Sequence, residues 1–124
     1  MTFLNCPNYD ISKLPWQVFT NRCFTKIVAV FSEGGYKVQG LQNPQQDFIG
    51  QIYKISAEFT TVTVKAKEAY DMSRKIAIKE GLLLGMSSGA ALYVSRQIAK
   101  KINHGNIVAV SPDRGEKYLS TALF

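Results

Sequence analysis

Two short runs of apolar, β-branched residues place the tightest constraint on the fold. Residues 26–30 read KIVAV and residues 106–110 read NIVAV. Short runs that are apolar at nearly every position are typical of strands buried on both faces. Residues 60–65 (TTVTVK) are also rich in β-branched side chains and predict a further strand.

Helical patterns separate these strands. Residues 67–80 repeat apolar side chains at helical spacing, and Gly81 suits the position that follows a helix. A second helix is predicted to begin with Ser87 or Ser88 as its N-cap, to run to about residue 103 and to stop at Gly105. The other predicted elements are a brief strand over 82–84, a short helix within 45–56 and a last short helix over 116–123.

Alternation of strands and helices predicts an α/β fold with a mostly parallel sheet flanked by helices. The 124 residues suit one domain. We assign the α/β domain to residues 26–124. Residues 1–25 contain prolines and asparagines without a clean apolar period, and they are predicted to be irregular.

Charge and cysteine content argue against several function classes. The net charge is +6 and the isoelectric point is near 9.4, but the basic residues are scattered, which favours a solvated surface over nucleic-acid binding. Cys6 and Cys23 have no second pair and no histidine at ligand spacing, so no metal site is expected. With neither a signal peptide nor a transmembrane stretch apparent, we expect a soluble cytoplasmic protein.

Two segments are candidates for chemistry because ligands bind beyond the carboxyl ends of parallel strands. Residues 85–89 (GMSSG) follow the brief strand, and residues 111–113 (SPD) follow the last one. A hydroxyl-rich turn at a helix N-terminus could bind an anion or a ring nitrogen. The alternative is that the serines only cap their helix, and the residues alone leave the two readings open.

Several segments together resemble one enzyme family. Residues 80–91 (EGLLLGMSSGAA) resemble the segment that faces the pyridine ring of pyridoxal phosphate in cysteine synthases and cystathionine β-synthases. Residues 110–121 (VSPDRGEKYLST) resemble the last strand and closing helix of that family. Residues 38–44 with 48–53 are similar to a loop of its CysM-type branch. The resemblance spans about residues 26–124 and implies the C-terminal portion of the three-layer, tryptophan synthase β-like fold.

The resemblance also implies roles for four residues in cofactor binding. Ser87 matches the residue that hydrogen-bonds the pyridine nitrogen, and a neutral serine leaves that nitrogen unprotonated, which favours β-elimination over transamination. Pro112 and Asp113 match positions near the same ring edge, and Gly40 matches the loop that closes over the site. Many relatives have Gly-Ile-Gly where this chain has Gly40, Leu41 and Gln42. This departure fits the CysM-type branch and leaves the sulfur donor and the activated serine open.

Three family motifs do not occur in this sequence: the Ser-x-Lys-Asp-Arg segment of the Schiff-base lysine, the Thr-Ser-Gly-Asn substrate loop and the Gly-Thr-Gly-Gly-Thr phosphate cradle. We therefore expect a truncated relative of cysteine synthase with no catalytic residue of its own, with weak or absent cofactor binding and inactive alone. Whether the chain acts as an enzyme is left open.

The partners of the chain follow from the same expectation. Loss of half of a family domain should expose apolar surface and favour a homo-oligomer. One alternative is a non-catalytic interaction module that self-associates or binds a full-length synthase. Another is that a separate chain supplies the missing half and restores an enzyme.

Overall fold

The computed structural model describes residues 26–33, 38–41, 59–121 and 123–124. The predictions for residues 1–25 and 45–56 lie outside these ranges. Within them, no helix is long and apolar enough to cross a membrane.

Two parallel strands form the sheet in the described part of the chain. β1 (Ile27–Ser32) pairs with β2 (Phe59–Val64) from Ile27 opposite Phe59 to Ser32 opposite Val64. Val28 and Val64 are buried in the core, as expected of β-branched side chains on a covered sheet face. Both strand predictions and the parallel arrangement are confirmed.

Helix α1 (Ala66–Glu80) follows β2 almost directly and confirms the helix predicted over 67–80. Its start is fixed by the Lys65 N–H, which donates to Glu68 Oε2 at 3.2 Å. Its end is Gly81, which has φ 68° and donates its N–H to Ala77 O at 3.1 Å. Glycine adopts this left-handed conformation without steric cost, so the helix ends where the sequence indicates.

Helix α2 (Met86–Ala99) differs at both ends from its prediction. Its N-cap is Gly85, which has extended backbone and no side-chain cap, so the prediction of Ser87 or Ser88 as N-cap is wrong. The helix ends at Ala99 rather than near residue 103, because the Lys101 N–H forms a short-range bond to Ile98 O at 2.8 Å that tightens the last turn.

The two helices pack closely through small residues. A Cβ atom on Gly89 would lie 2.1 Å from Ser73 Oγ and 2.3 Å from the Ala69 carbonyl oxygen, so only glycine permits this contact. The buried Ser73 hydroxyl lies 3.2 Å from Ala69 O and 2.9 Å from Gly85 O, the residue that precedes α2. These contacts fix the start of α2 against α1.

The core combines side chains from both strands, both helices and the C-terminal segment. Its buried members are Val28, Val38, Val64, Ala69, Met86, Ala90, Val94, Tyr118 and Leu123.

The C-terminal segment is less regular than predicted. Residues 106–110 form no strand among the described residues, and the side chains of Val108 and Val110 are 39% and 54% exposed. The brief strand over 82–84 is reduced to a single antiparallel bridge between Leu84 and Arg114. A β conformation is stabilised by a pairing partner, and the described part of the chain offers residues 106–110 none.

The helix predicted over 116–123 is instead a 3-10 helix, Gly115–Tyr118, followed by turns. The Gly115 N–H donates to Leu83 O at 2.9 Å, which ties this helix to the strand-like residues before α2. The Thr121 hydroxyl donates to Tyr118 O at 2.7 Å and takes up a carbonyl that a longer helix would use.

Candidate functional site

Three of the four predicted site residues meet at the N-terminus of α2. Gly40 lies in a turn closed by a 2.9 Å bond from the Leu41 N–H to Val38 O. A Cβ atom on Gly40 would lie 3.2 Å from Ser87 Cβ and 3.3 Å from Ser87 Oγ. Because glycine has no Cβ atom, the turn can lie directly over the Ser87 side chain. Gly40 also has φ 90°, a conformation that disfavours any other residue.

Asp113 takes the place of a local helix cap. Its carboxylate accepts the Ser87 N–H at 3.3 Å through Oδ2 and the Ser88 N–H at 3.0 Å through Oδ1. It also accepts the Ser88 hydroxyl through Oδ1 and the Tyr118 hydroxyl at 3.0 Å through Oδ2. The free N–H groups and positive dipole end of a helix favour a carboxylate at this position. The arrangement joins the C-terminal segment to the first turn of α2.

The main chain of Asp113 reinforces this junction. The Gly85 N–H donates to Asp113 O at 3.2 Å, and the Asp113 N–H donates to Ser88 Oγ at 3.3 Å. The Ser88 hydroxyl lies 3.0 Å from the same carbonyl. Ser88 is fully buried, so its hydroxyl serves the junction and is not available to a ligand.

The hydrogen bonds favour an ionised Asp113 and a neutral Tyr118. Burial acts to raise the pKa of Asp113, but the hydrogen bonds from Ser88, Ser87 and Tyr118 outweigh burial and lower that pKa. Burial raises the pKa of Tyr118, and the neighbouring Asp113 carboxylate raises it further. The two directions agree, because a phenol that donates to a carboxylate holds its proton more firmly.

The Ser87 side chain carries the second hydroxyl of the turn. Ser87 is 4% exposed, and a hydrogen bond from its side chain to Asp113 helps to lower the pKa of that carboxyl. Ser88 is fully buried and contacts both the carboxylate and the main chain of Asp113. Of the two serines, Ser87 is therefore the one that lies against the Gly40 turn and nearer to the surface.

Pro112 does not share this environment. It precedes Asp113 in the chain and is exposed. The structure therefore brings Gly40, Ser87 and Asp113 together and leaves Pro112 at the border of the site.

Two residues of the junction were not among the predicted ones. Gly85 must be glycine, because a Cβ atom there would lie 2.2 Å from Asp113 Oδ2 and 2.5 Å from Tyr118 Cε2. Tyr118 has its ring in the core and its hydroxyl on Asp113.

No protein-family model matches the sequence. The chain is 40% identical over 91 residues to a cysteine synthase of Aquifex aeolicus, covering 70% of this chain and 28% of that protein. It is 40% identical over 92 residues to a cysteine synthase of Staphylococcus aureus, covering 73% of this chain and 29% of that protein. The crystal structure of cysteine synthase from Entamoeba histolytica superposes with a TM-score of 0.71 and 34% identity, covering 80% of this chain and 32% of that one. The chain thus spans less than a third of the length of these relatives.

Proposed function

Because this chain is a relative of the C-terminal part of the cysteine synthases and shares their α/β fold, we propose that it forms one wall of a pyridoxal-phosphate site. The family uses this cofactor, which acts as an electron sink for β-replacement on an amino acid when it is bound. The assignment to the CysM-type branch stays a prediction.

The buried Ser87 hydroxyl carries the proposal. It is buried at the start of α2, beneath the turn that holds Gly40, and it has one proton to donate. Donation to the pyridine nitrogen would hold the ring in place, and a neutral donor would leave that nitrogen unprotonated. Gly40 would leave room for the ring, because a side chain there would contact Ser87. Pro112 and Asp113 would border the same edge.

The other wall of the site has no counterpart in these 124 residues. The sequence contains neither the Ser-x-Lys-Asp-Arg segment nor the Gly-Thr-Gly-Gly-Thr cradle. Without a desolvated lysine and a phosphate grip, we propose that this chain by itself binds the cofactor weakly and does not make cysteine. The full reaction, in cytoplasmic cysteine biosynthesis, would join an activated serine to a sulfur donor.

A second candidate function is a non-catalytic module that self-associates or binds a full-length synthase. Exposed apolar side chains favour it: Ile78 is 85% exposed, Leu119 62% and Val110 54%. Apolar surface of this kind promotes association. A homo-oligomer is the expected state, and sedimentation that shows only monomers at all concentrations would remove the support for this candidate.

Cofactor titration tests the main proposal. Equilibrium dialysis of the purified chain with pyridoxal phosphate should give weak binding that Ser87→Ala reduces about five- to tenfold, which corresponds to one lost hydrogen bond. Ser95→Ala is the matched control, since Ser95 lies on the same helix and its hydroxyl donates to Ala91 O at 2.8 Å. Equal binding by all three proteins would contradict the role of Ser87. Borohydride reduction that labels one specific lysine would contradict the proposed inactivity.

A further inference from the structure

We propose that a cavity at the N-terminal end of the sheet binds a medium-chain alkyl carboxylate. The cavity has a volume of about 430 Å³ and is lined by the first residues of β1 and β2 and by the C-terminal end of α2. The site at Ser87 and Asp113 lies at the opposite end of α2. The inference is therefore independent of the proposed pyridoxal-phosphate site.

The deeper walls of the cavity are apolar. Val28 of β1 is 2% exposed, and the half-buried side chains of Val62, Ile98 and Ile107 also line the cavity. These three side chains pack against the core that contains Val28, so the fold sets their positions. Walls of this kind gain free energy when they contact hydrocarbon in place of water.

Basic residues border the same cavity. Lys26 precedes β1, Lys101 follows α2 and His104 lies shortly after it, and all three are exposed. No acidic residue is among the described residues that line the cavity. The C-terminus of a helix favours cations, which accounts for Lys101, but Lys26 comes from a different element and has no such reason to be there. The border therefore favours a negatively charged group.

The main chain shapes the wall that follows α2. The Lys101 N–H donates to Ile98 O at 2.8 Å and closes the end of the helix. Gly105 has φ 126°, a conformation that favours glycine, and it turns the chain so that Asn106 and Ile107 line the cavity. Because the fold builds this wall, binding requires little ordering of the protein, which lowers the entropic cost of binding.

The combination of apolar walls and a basic border selects one class of ligand. An inorganic anion would lose hydration against the apolar walls without compensation. A neutral hydrocarbon would gain nothing from the lysines. An alkyl carboxylate suits both, because its tail covers the valine and isoleucine side chains while its charged group stays beside the ammonium groups at the surface. The volume of about 430 Å³ lies near the lower end of the range for ligand sites, about 300–1,000 Å³, and favours a chain of medium length.

Titration with octanoate tests the proposal. Calorimetry of the purified chain should give saturable binding with a Kd on the order of 1 mM. Hexanoate, which lacks two methylene groups, should bind about tenfold more weakly. Octanamide, which has no charge, should bind at least about twofold more weakly. Amide nitrogen-15 shifts should change at Val28, Val62 and Ile107 and stay constant at Ser87. Equal affinity for octanoate and octanamide, or shifts spread evenly over the surface, would overturn the proposal.

Two pairs of variants locate the binding site. Lys101→Gln should weaken octanoate binding about two- to fivefold, whereas Lys100→Gln should leave it unchanged, because Lys100 does not line the cavity. Ile102→Asp places an acid in the cavity wall and should weaken binding at least about tenfold. Ile78→Asp is its matched control, because the two isoleucines are 40% and 85% exposed and Ile78 lies on α1. Equal affinity within either pair would contradict the assignment of the cavity.

Sedimentation distinguishes the alkyl carboxylate from another occupant, a second copy of the chain. If octanoate causes no shift at Val28 and Ile102→Asp converts an oligomer into a monomer, a second copy fills the cavity and the proposal is wrong. If octanoate binds and Ile102→Asp leaves the oligomeric state unchanged, the cavity is a ligand site.

Discussion

Replacement of Asp113 by alanine should destabilise the fold by an amount that can be worked out from its contacts. The N–H groups of Ser87 and Ser88 lose their acceptor, and loss of a helix N-cap costs about 1 kcal/mol. The Tyr118 hydroxyl also loses its acceptor, and an unsatisfied buried donor costs about 1–3 kcal/mol. The Ser88 hydroxyl keeps the Asp113 carbonyl as a partner. We expect the free energy of unfolding to fall by about 2–4 kcal/mol at neutral pH.

This loss should depend on pH, because the helix terminus binds the ionised carboxylate. The hydrogen bonds in the folded state hold the pKa of Asp113 below the ordinary value of an aspartate, although burial opposes them. A group whose pKa is lowered by folding contributes its full stabilisation above the unfolded pKa and loses it as pH falls through the folded pKa. The difference between the wild type and Asp113→Ala should therefore be constant between about pH 5 and 7 and shrink below about pH 4.

Urea unfolding followed by circular dichroism, at a series of pH values from 7 down to 3, measures both quantities. Asp71→Ala is the matched control. Asp71 is 58% exposed and lies 3.8 Å from Arg74 one turn along α1, and an exposed pair of this kind contributes about 0.5 kcal/mol or less. The reasoning fails if Asp113→Ala costs no more than Asp71→Ala. It also fails if the difference from the wild type persists unchanged at pH 3.

Three further substitutions test the packing and the ends of the helix pair. Gly89→Ala should lower the free energy of unfolding by about 2–3 kcal/mol, because the new Cβ would overlap Ser73 Oγ and the Ala69 carbonyl. Gly81→Ala should cost only about 1–2 kcal/mol, since Gly81 has a left-handed φ of 68° but open space around it; thermal denaturation that ranks the two in the reverse order would contradict the packing. Ser73→Ala should cost about 1 kcal/mol, because it removes the hydroxyl shared by Ala69 O and Gly85 O. No change in its melting temperature would show that this hydroxyl does not hold α2 against α1.

The helices show what a sequence pattern can and cannot predict. Apolar spacing and Gly81 locate α1 to within a residue, because both signals are local. The start of α2 was misjudged, because serine usually caps a helix from within its own segment. In this protein the cap is Asp113, 25 residues beyond Ser88, and a local pattern carries no information about a partner so distant.

Residues 106–110 show a second limit. Their apolar, β-branched sequence indicates a strand, but the described residues offer them no ladder. Periodicity and residue type indicate only that a segment is suited to a buried sheet. To form a strand, the segment also needs a neighbouring strand with free N–H and carbonyl groups. The sequence-based prediction therefore identified the tendency of this segment and not its conformation.

The candidate site was predicted in part. Gly40, Ser87 and Asp113 were identified from a family resemblance, and the structure brings them together. The sequence could not separate Ser87 from Ser88, because both hydroxyls lie near the Asp113 carboxylate and differ in burial and in contact with the Asp113 main chain, which only the fold determines. Tyr118 was missed for the same reason: a tyrosine in an apolar segment is expected to pack, and its hydroxyl partner depends on the tertiary fold.

The distant cap of α2 has a consequence for how the chain opens. The first turn of α2 has no side-chain cap of its own, so its N–H groups are protected only while the segment from Asp113 to Phe124 is docked. Release of that segment should expose the Ser87 and Ser88 amides to hydrogen exchange at the same rate as the Gly115 amide, which binds Leu83 O. The first turn of α2 and the C-terminal segment would then unfold together as one cooperative unit. Proteolysis within the C-terminal segment would accordingly fray the N-terminus of α2, although the cleaved bond lies far from that helix in the sequence.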